Sequence, residues 1–198
     1  MKVHCNSHTV HLTLLSLILL LLMLGSCATT QGEESVKIYS IGEKGPAGGL
    51  VFYDKGSHGD GWRYLEVAPG ATERPLNWGM PGVLAGSASP SVGDGGANTA
   101  QIILTQKDLT DRDYAAKYCD ELVVNGYSDW YLPSKEELDL LYWPLSVQTV
   151  DEFKGLGHGY WSSTEYDETL AWGQGFHKGV QGRIEKTEQF LVRAIRSF

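Results

Sequence analysis

Three cysteines, six histidines and 24 acidic side chains are the groups through which this 198-residue chain could do chemistry. Their types and spacing point away from catalysis. Cys119 falls among apolar residues of a predicted helix, where a thiol is a small inert hydrophobe. His58, His158 and His177 are far apart and form no His-x-x-x-His pair, so spacing alone assembles no metal site. Asp108, Asp111 and Asp113 cluster where a helix opens, a place that favours acidic residues through the helix dipole. Glu165, Asp167 and Glu168 cluster in a predicted hairpin turn, and neither group reads as a calcium site. Ser162 and Ser163 lack a Gly-x-Ser-x-Gly elbow. Gly93-Asp94-Gly95-Gly96 lacks the Lys-Ser/Thr of a phosphate loop. No catalytic residue, metal ligand or cofactor is assigned.

Aromatic residues are the positive signal. Six tryptophans are present, Trp62, Trp78, Trp130, Trp143, Trp161 and Trp172. Most suit a core, because each buries up to ~250 Å². Trp78 differs, since it stands between Asn77 and Gly79 at the head of a long Gly-, Ala-, Ser- and Pro-rich stretch. A loop Trp of that kind could stack on a sugar or enter a partner's pocket. Asp94 and Asn98 are the polar groups most able to fix a ligand beside it. Trp172, Gln174 and His177, on or just after a late strand, could complete the same face. The expected ligand site is therefore Trp78, Asp94, Asn98, Trp172, Gln174 and His177. Charge is uneven: the formal net charge is -8, yet residues 172–198 carry a net +3. That stretch could meet an anionic glycan, although Arg193 and Arg196 are read as pairing internally with the acidic helices. No long basic stripe exists, which excludes nucleic acid as a partner.

The elements that must position these residues are legible from periodicity. Val36–Ile41 and Gly49–Tyr53 read as two strands of a hairpin around a Gly-Pro-Gly-rich turn. Trp62–Ala68 alternates as a third strand and ends at Pro69. Residues 70–97 read as a functional or mobile loop. Asn98 caps a short helix to Thr105. Thr110–Asp113 resembles a capping box for a helix bearing Tyr114, Ala115, Tyr118, Cys119, Leu122 and Val123, with Gly126 as its stop. Ser134-Lys135-Glu136-Glu137 is a second capping box, for a helix broken at Pro144. Tyr160–Glu165, Leu170–Phe176 and residues 189–197 read as strands, and Trp130, Leu132, Leu138 and Leu141 as core. Strands at both ends with helices between them predict an α+β domain whose N- and C-terminal strands share one antiparallel sheet.

The first segment addresses the chain to the envelope. Residues 12–24 are almost wholly apolar, long enough for a signal-peptide core and short of the ~20 residues of a spanning helix. Leu24-Gly25-Ser26-Cys27 follows and resembles a bacterial lipobox, in which the Cys is acylated and becomes the mature N-terminus. Cys27 is thus the expected lipidation site, with palmitate-type chains holding the protein to a bilayer. Residues 1–26 are the signal peptide, 27–36 the lipidated Cys and flexible tether, and 37–198 the domain. Localisation is expected at the cell envelope, at the outer membrane or cell surface. At 42% hydrophobic and 20% charged, the chain is not disordered, and one core of that size suffices.

Four segments carry a resemblance: IGEKGPAGGLVFYDKG (41–56), YAAKYCDELVVNGYSDWYLPSKEELDLLY (114–142), GYWSSTEY (159–166) and VRAIRSF (192–198). Together they resemble the Lcl C-terminal-like domain family, a former domain of unknown function in bacterial surface proteins. Asp129–Leu138 is the most specific run, with Tyr131 where Arg is more usual. The family is similar in layout to the C-type-lectin-like fold, including its formylglycine-generating enzyme branch. The resemblance implies a single C-type-lectin-like domain and no particular activity. That branch's oxidase needs paired cysteines, and only Cys119 is available. The expectation is a surface-tethered, adhesin-like lipoprotein, a non-enzymatic module binding glycan or protein. A metal-assisted or carboxylate-based enzyme in a lectin-like cleft, and an envelope scaffold, are the competing readings.

Overall fold

In the computed structural model, residues 37–108, 112–147 and 159–198 are described. Cys27, His158, Thr110 and Asp111, with what was expected of them, lie outside those residues. Ile38–Phe198 form one compact unit. Among the described residues no helix is long and apolar enough to cross a membrane.

The strands are β1 (Leu50–Asp54), β2 (Tyr64–Val67), β3 (Arg74–Leu76), β4 (Gly159–Glu165), β5 (Leu170–Gly175), β6 (Val180–Glu185), β7 (Phe190–Val192) and β8 (Ile195–Ser197). The helices are α1 (Gly95–Thr105), α2 (Ala115–Asp120) and α3 (Lys135–Val147). The first sheet runs β1-β2-β8, all antiparallel, so the N-terminal hairpin and the C-terminal strand share it as expected. The second runs β3-β7-β4-β5-β6 and is antiparallel except for a short parallel pairing of β4 with β7. The architecture is α+β.

Several expected boundaries move. The first hairpin is β1 with β2; residues 37–41 form no strand. Glu43 and Gly42 instead bond Val51 along the outer edge of β1. β3 and β6 are strands that the sequence reading passed over. The stretch 189–197 is two strands in two sheets, divided at Arg193-Ala194. Asn98 does not cap α1. The helix starts at Gly95, and Asn98 is buried within it. α2 ends at Asp120, and Asn125-Gly126 is a separate tight turn. Both residues have positive φ (50° and 85°), and Val124 and Tyr127 exchange backbone bonds across it, as an Asn-Gly hairpin turn requires. α3 runs through Pro144 to Val147, so the expected break at that proline does not occur.

One capping box is as expected. Ser134 N–H donates to Glu137 Oε2 at 2.7 Å, and Glu137 N–H donates to Ser134 Oγ at 3.2 Å. Two apolar clusters fill the interior. Trp78, Trp130, Trp161, Ile102, Leu132 and Cys119 belong to one. Phe52, Leu65, Leu138, Leu141, Tyr160 and Ile195 belong to the other. Cys119 is fully buried, and that burial pushes its thiol well above the ordinary range, as an inert packing residue requires.

Candidate functional site

Buried carboxylates govern the loops. Glu66 on β2 accepts bonds from Ala47 N–H and Gly49 N–H, clamping the Gly-Pro-Ala-Gly-Gly turn. Arg196 on β8 compensates it at 3.2 Å and forks onto Asp129 with two 2.8 Å bonds. That fork holds the Asp129 carboxyl below the usual range. Arg193 is likewise internal, bonded to Ala68 O and Glu73. Both arginines thus pair inside, with loop and strand carboxylates rather than with the helices.

The stretch from Asn77 to Asp94 is anchored, not loose. Trp78 is fully buried and donates its indole N–H to Ser162 O at 2.8 Å. Glu165 on β4 accepts Ala85 N–H and Gly86 N–H, both at 2.8 Å. Lys186, also fully buried, bonds Glu165 at 2.7 Å, Val83 O at 3.0 Å and Glu168 O at 3.2 Å. Its ammonium lies 4.7 Å from the Trp78 ring centre. Glu137 takes Gly93 N–H at 2.9 Å, and its burial raises its carboxyl. A ring with no exposed surface cannot stack on a ligand, so the expected role of Trp78 is corrected to packing. The acidic turn 165–168 is also spent internally. Glu165 holds the loop and Lys186, while Asp167 caps Thr169 and Leu170.

The other expected ligand residues scatter. Asn98 is buried and bonds Ser89 O at 2.7 Å and Ser163 Oγ at 3.3 Å. Asp94 is half-buried and accepts from Ser89 Oγ. Gln174 is buried under α3, donating to Asp139 at 2.7 Å and to Gly179 O at 3.1 Å. His177 is exposed on the opposite side of the second sheet. There it borders a shallow hollow of about 310 Å³ with Phe190, Ile184 and Gly182. Gln174 does share the face of Trp172, two positions along β5, but is buried there, and the turn after β5 carries His177 round to the opposite face.

Trp172 is half-buried, and a cluster surrounds it. Lys135 Nζ lies 4.6 Å from its ring centre, the Arg183 guanidinium 5.9 Å away, and Tyr166 meets it edge-on at 6.0 Å. Arg183 also lies 4.5 Å from the Tyr166 ring. Sheet register explains the grouping: Trp172 is directly opposite Arg183. Gln181, on the same face of β6, donates to Lys135 O at 2.9 Å and ties the start of α3 to the sheet. Lys135 N–H donates to Thr164 Oγ1, and Glu136 N–H to Pro90 O, so the end of the long loop borders the cluster. Among the described residues neither Lys135 nor Arg183 has a carboxylate partner. Two aromatic rings with two uncompensated cations form a surface able to stack a ring and hold negative charge.

Lys135, Tyr166 and Arg183 were not expected here. Lys135 looked like capping-box filler, and Arg183 sits on a strand the sequence pattern did not disclose. Among the described residues no three His, Cys, Asp or Glu side chains group as metal ligands. A second hollow of about 320 Å³ lies between Asn77, Met80, Arg112, Tyr114 and Thr187. Residues 76–196 match the family model of the Lcl C-terminal domain. A search among curated proteins found no match.

Proposed function

The chain belongs to the Lcl C-terminal domain family, and from that premise we propose that it is a lipid-anchored binding module of the bacterial envelope. Cys27 carries the anchor, residues 28–36 are the tether, and the domain presents a C-type-lectin-like surface to glycan. The observation that carries the ligand reading is the half-buried Trp172, flanked by Tyr166 and by Lys135 and Arg183, which have no carboxylate partner among the described residues. A pyranose stacks its C–H face on an indole, and acidic substituents pair with the cations.

No step of bond making is assigned. The buried acids Glu66, Glu137 and Glu165 are engaged with backbone N–H groups, which suits loop holding. The test is a glycan array probed with the full chain and with Trp172→Ala. At least tenfold weaker binding by the folded variant supports the reading, since a lost stacking contact is worth about 1.4 kcal/mol or more. Equal binding by both proteins, or none by either, overturns it. Anchoring is tested by Cys27→Ala, which should abolish acyl labelling and release the chain from membranes. Unchanged labelling removes the lipoprotein reading.

A further inference from the structure

The second sheet ends at β6, and among the described residues no strand pairs with its outer edge. Hydrogen-bond parity follows from its neighbours. Lys186 N–H donates to Thr169 O at 2.9 Å, which makes the even-numbered residues of β6 those that bond β5. Leu170 O and Trp172 O are correspondingly turned toward β4, accepting from Tyr166 N–H and Ser162 Oγ. The main-chain groups of Gln181 and Arg183 therefore point away from the sheet. None of those groups makes a hydrogen bond. β6 has no proline, and all six of its residues pair with β5 in unbroken register, so no bulge blunts the edge. Val180 is 65% exposed on it. A Cβ built on Gly182 would meet only Ile184 Cδ1, at 3.7 Å.

We propose that β6 pairs antiparallel with β6 of a second copy of this chain, merging two five-stranded sheets into one. The strand's own residues select the register. A pairing centred on Arg183 sets like charges opposite each other. Centres at Gln181 or Ile184 engage only one end of the strand, and at Ile184 the needed Glu185 O already accepts from Glu188 N–H. Centring on Gly182 satisfies the free groups of both Gln181 and Arg183. Gln181 and Arg183 then exchange both backbone bonds with Arg183 and Gln181 of the second copy. Val180 faces the other Ile184, covering the exposed apolar side chain. Gly182 faces Gly182, where opposed Cα atoms come to about 4.5 Å. The pairing does not depend on the ligand reading. Where both hold, two Trp172 clusters share one sheet face and bind a polymer with avidity.

The test uses the full chain in mild detergent. Gly182→Cys stands at the two-fold axis, within disulfide reach of its copy. On oxidation it should form a disulfide dimer several-fold above two controls. One is the wild type, which reports the native cysteines; the other is Lys178→Cys, in the exposed β5–β6 turn. No dimer, or dimer equal to that of Lys178→Cys, overturns the proposal. Sedimentation of the wild type should show a dimer, and Val180→Lys should weaken it at least tenfold with an unchanged melting temperature. A wild type that sediments as a monomer at every concentration also overturns it.

Discussion

Two tryptophans in this domain carry a lysine at nearly the same distance, 4.7 Å for Trp78 with Lys186 and 4.6 Å for Trp172 with Lys135. The pairs are put to opposite uses. Trp78 and Lys186 are fully buried, and the ammonium is neutralised by Glu165 and two carbonyls. Trp172 is half-buried, and among the described residues Lys135 has no carboxylate partner. Residue type and ring–cation distance are therefore shared. What separates a packing joint from a ligand surface is burial and the presence of a counter-charge.

The largest effect should come from breaking the buried pair. Lys186→Ala leaves Glu165 desolvated and unpaired and should cost about 3–5 kcal/mol, read by urea denaturation. Trp78→Ala opens a core cavity and should cost a similar ~3–5 kcal/mol. If either variant keeps wild-type stability, the two tryptophan sites are not different in kind. Leu138→Ala, in the second apolar cluster, should cost about 2–5 kcal/mol and give a clearly lower melting temperature. At the exposed pair, Lys135→Ala should change stability by no more than about 0.5 kcal/mol. A larger loss would mean that Lys135 is structural too.

The smallest effect is a pH dependence. The Asp129 carboxyl is held below its ordinary range in the folded state, chiefly by hydrogen bonds from Arg196. A depressed folded value adds stability above the unfolded pKa of about 3.9, and that stability is lost as pH falls through the folded value. Asp129→Asn should therefore be less stable than wild type at neutral pH, with the difference closing toward acid. Denaturation midpoints at several pH values check this. A constant gap would mean that the fork contributes nothing that titrates.

The residues explain why one site was legible and the other was not. The Ser134–Glu137 box, the buried Trp130 and Leu132, and the shared terminal sheet follow from local pattern or from chain order. Trp78 was misread because its polar, Gly-rich neighbours suggest exposure. The decision to bury it is made by Glu165 and Lys186, some 80 to 110 positions away. Gly126 was read as a helix stop because helix ends and Asn-Gly turns demand the same positive φ. The Trp172 cluster was only half legible, since it needs Lys135 from a helix start and Arg183 from β6. β6 has a glycine at its centre and alternates only weakly. The break at Arg193-Ala194 is hidden because Phe190, Val192 and Ala194 read as one face of a single strand, whereas the chain changes sheets between Val192 and Ile195.

The place of β8 in the first sheet has a kinetic consequence. β2 gains its second neighbour only when residues 195–197 arrive, and Arg196 brings the charge that compensates buried Glu66. Pairing partners some 130 positions apart is slow to close. A chain still being synthesised therefore holds Glu66 without its counter-charge and cannot lock the terminal sheet. The first sheet is therefore completed only when its last strand is free, so β1 and β2 wait on β8 for both a pairing edge and a counter-charge.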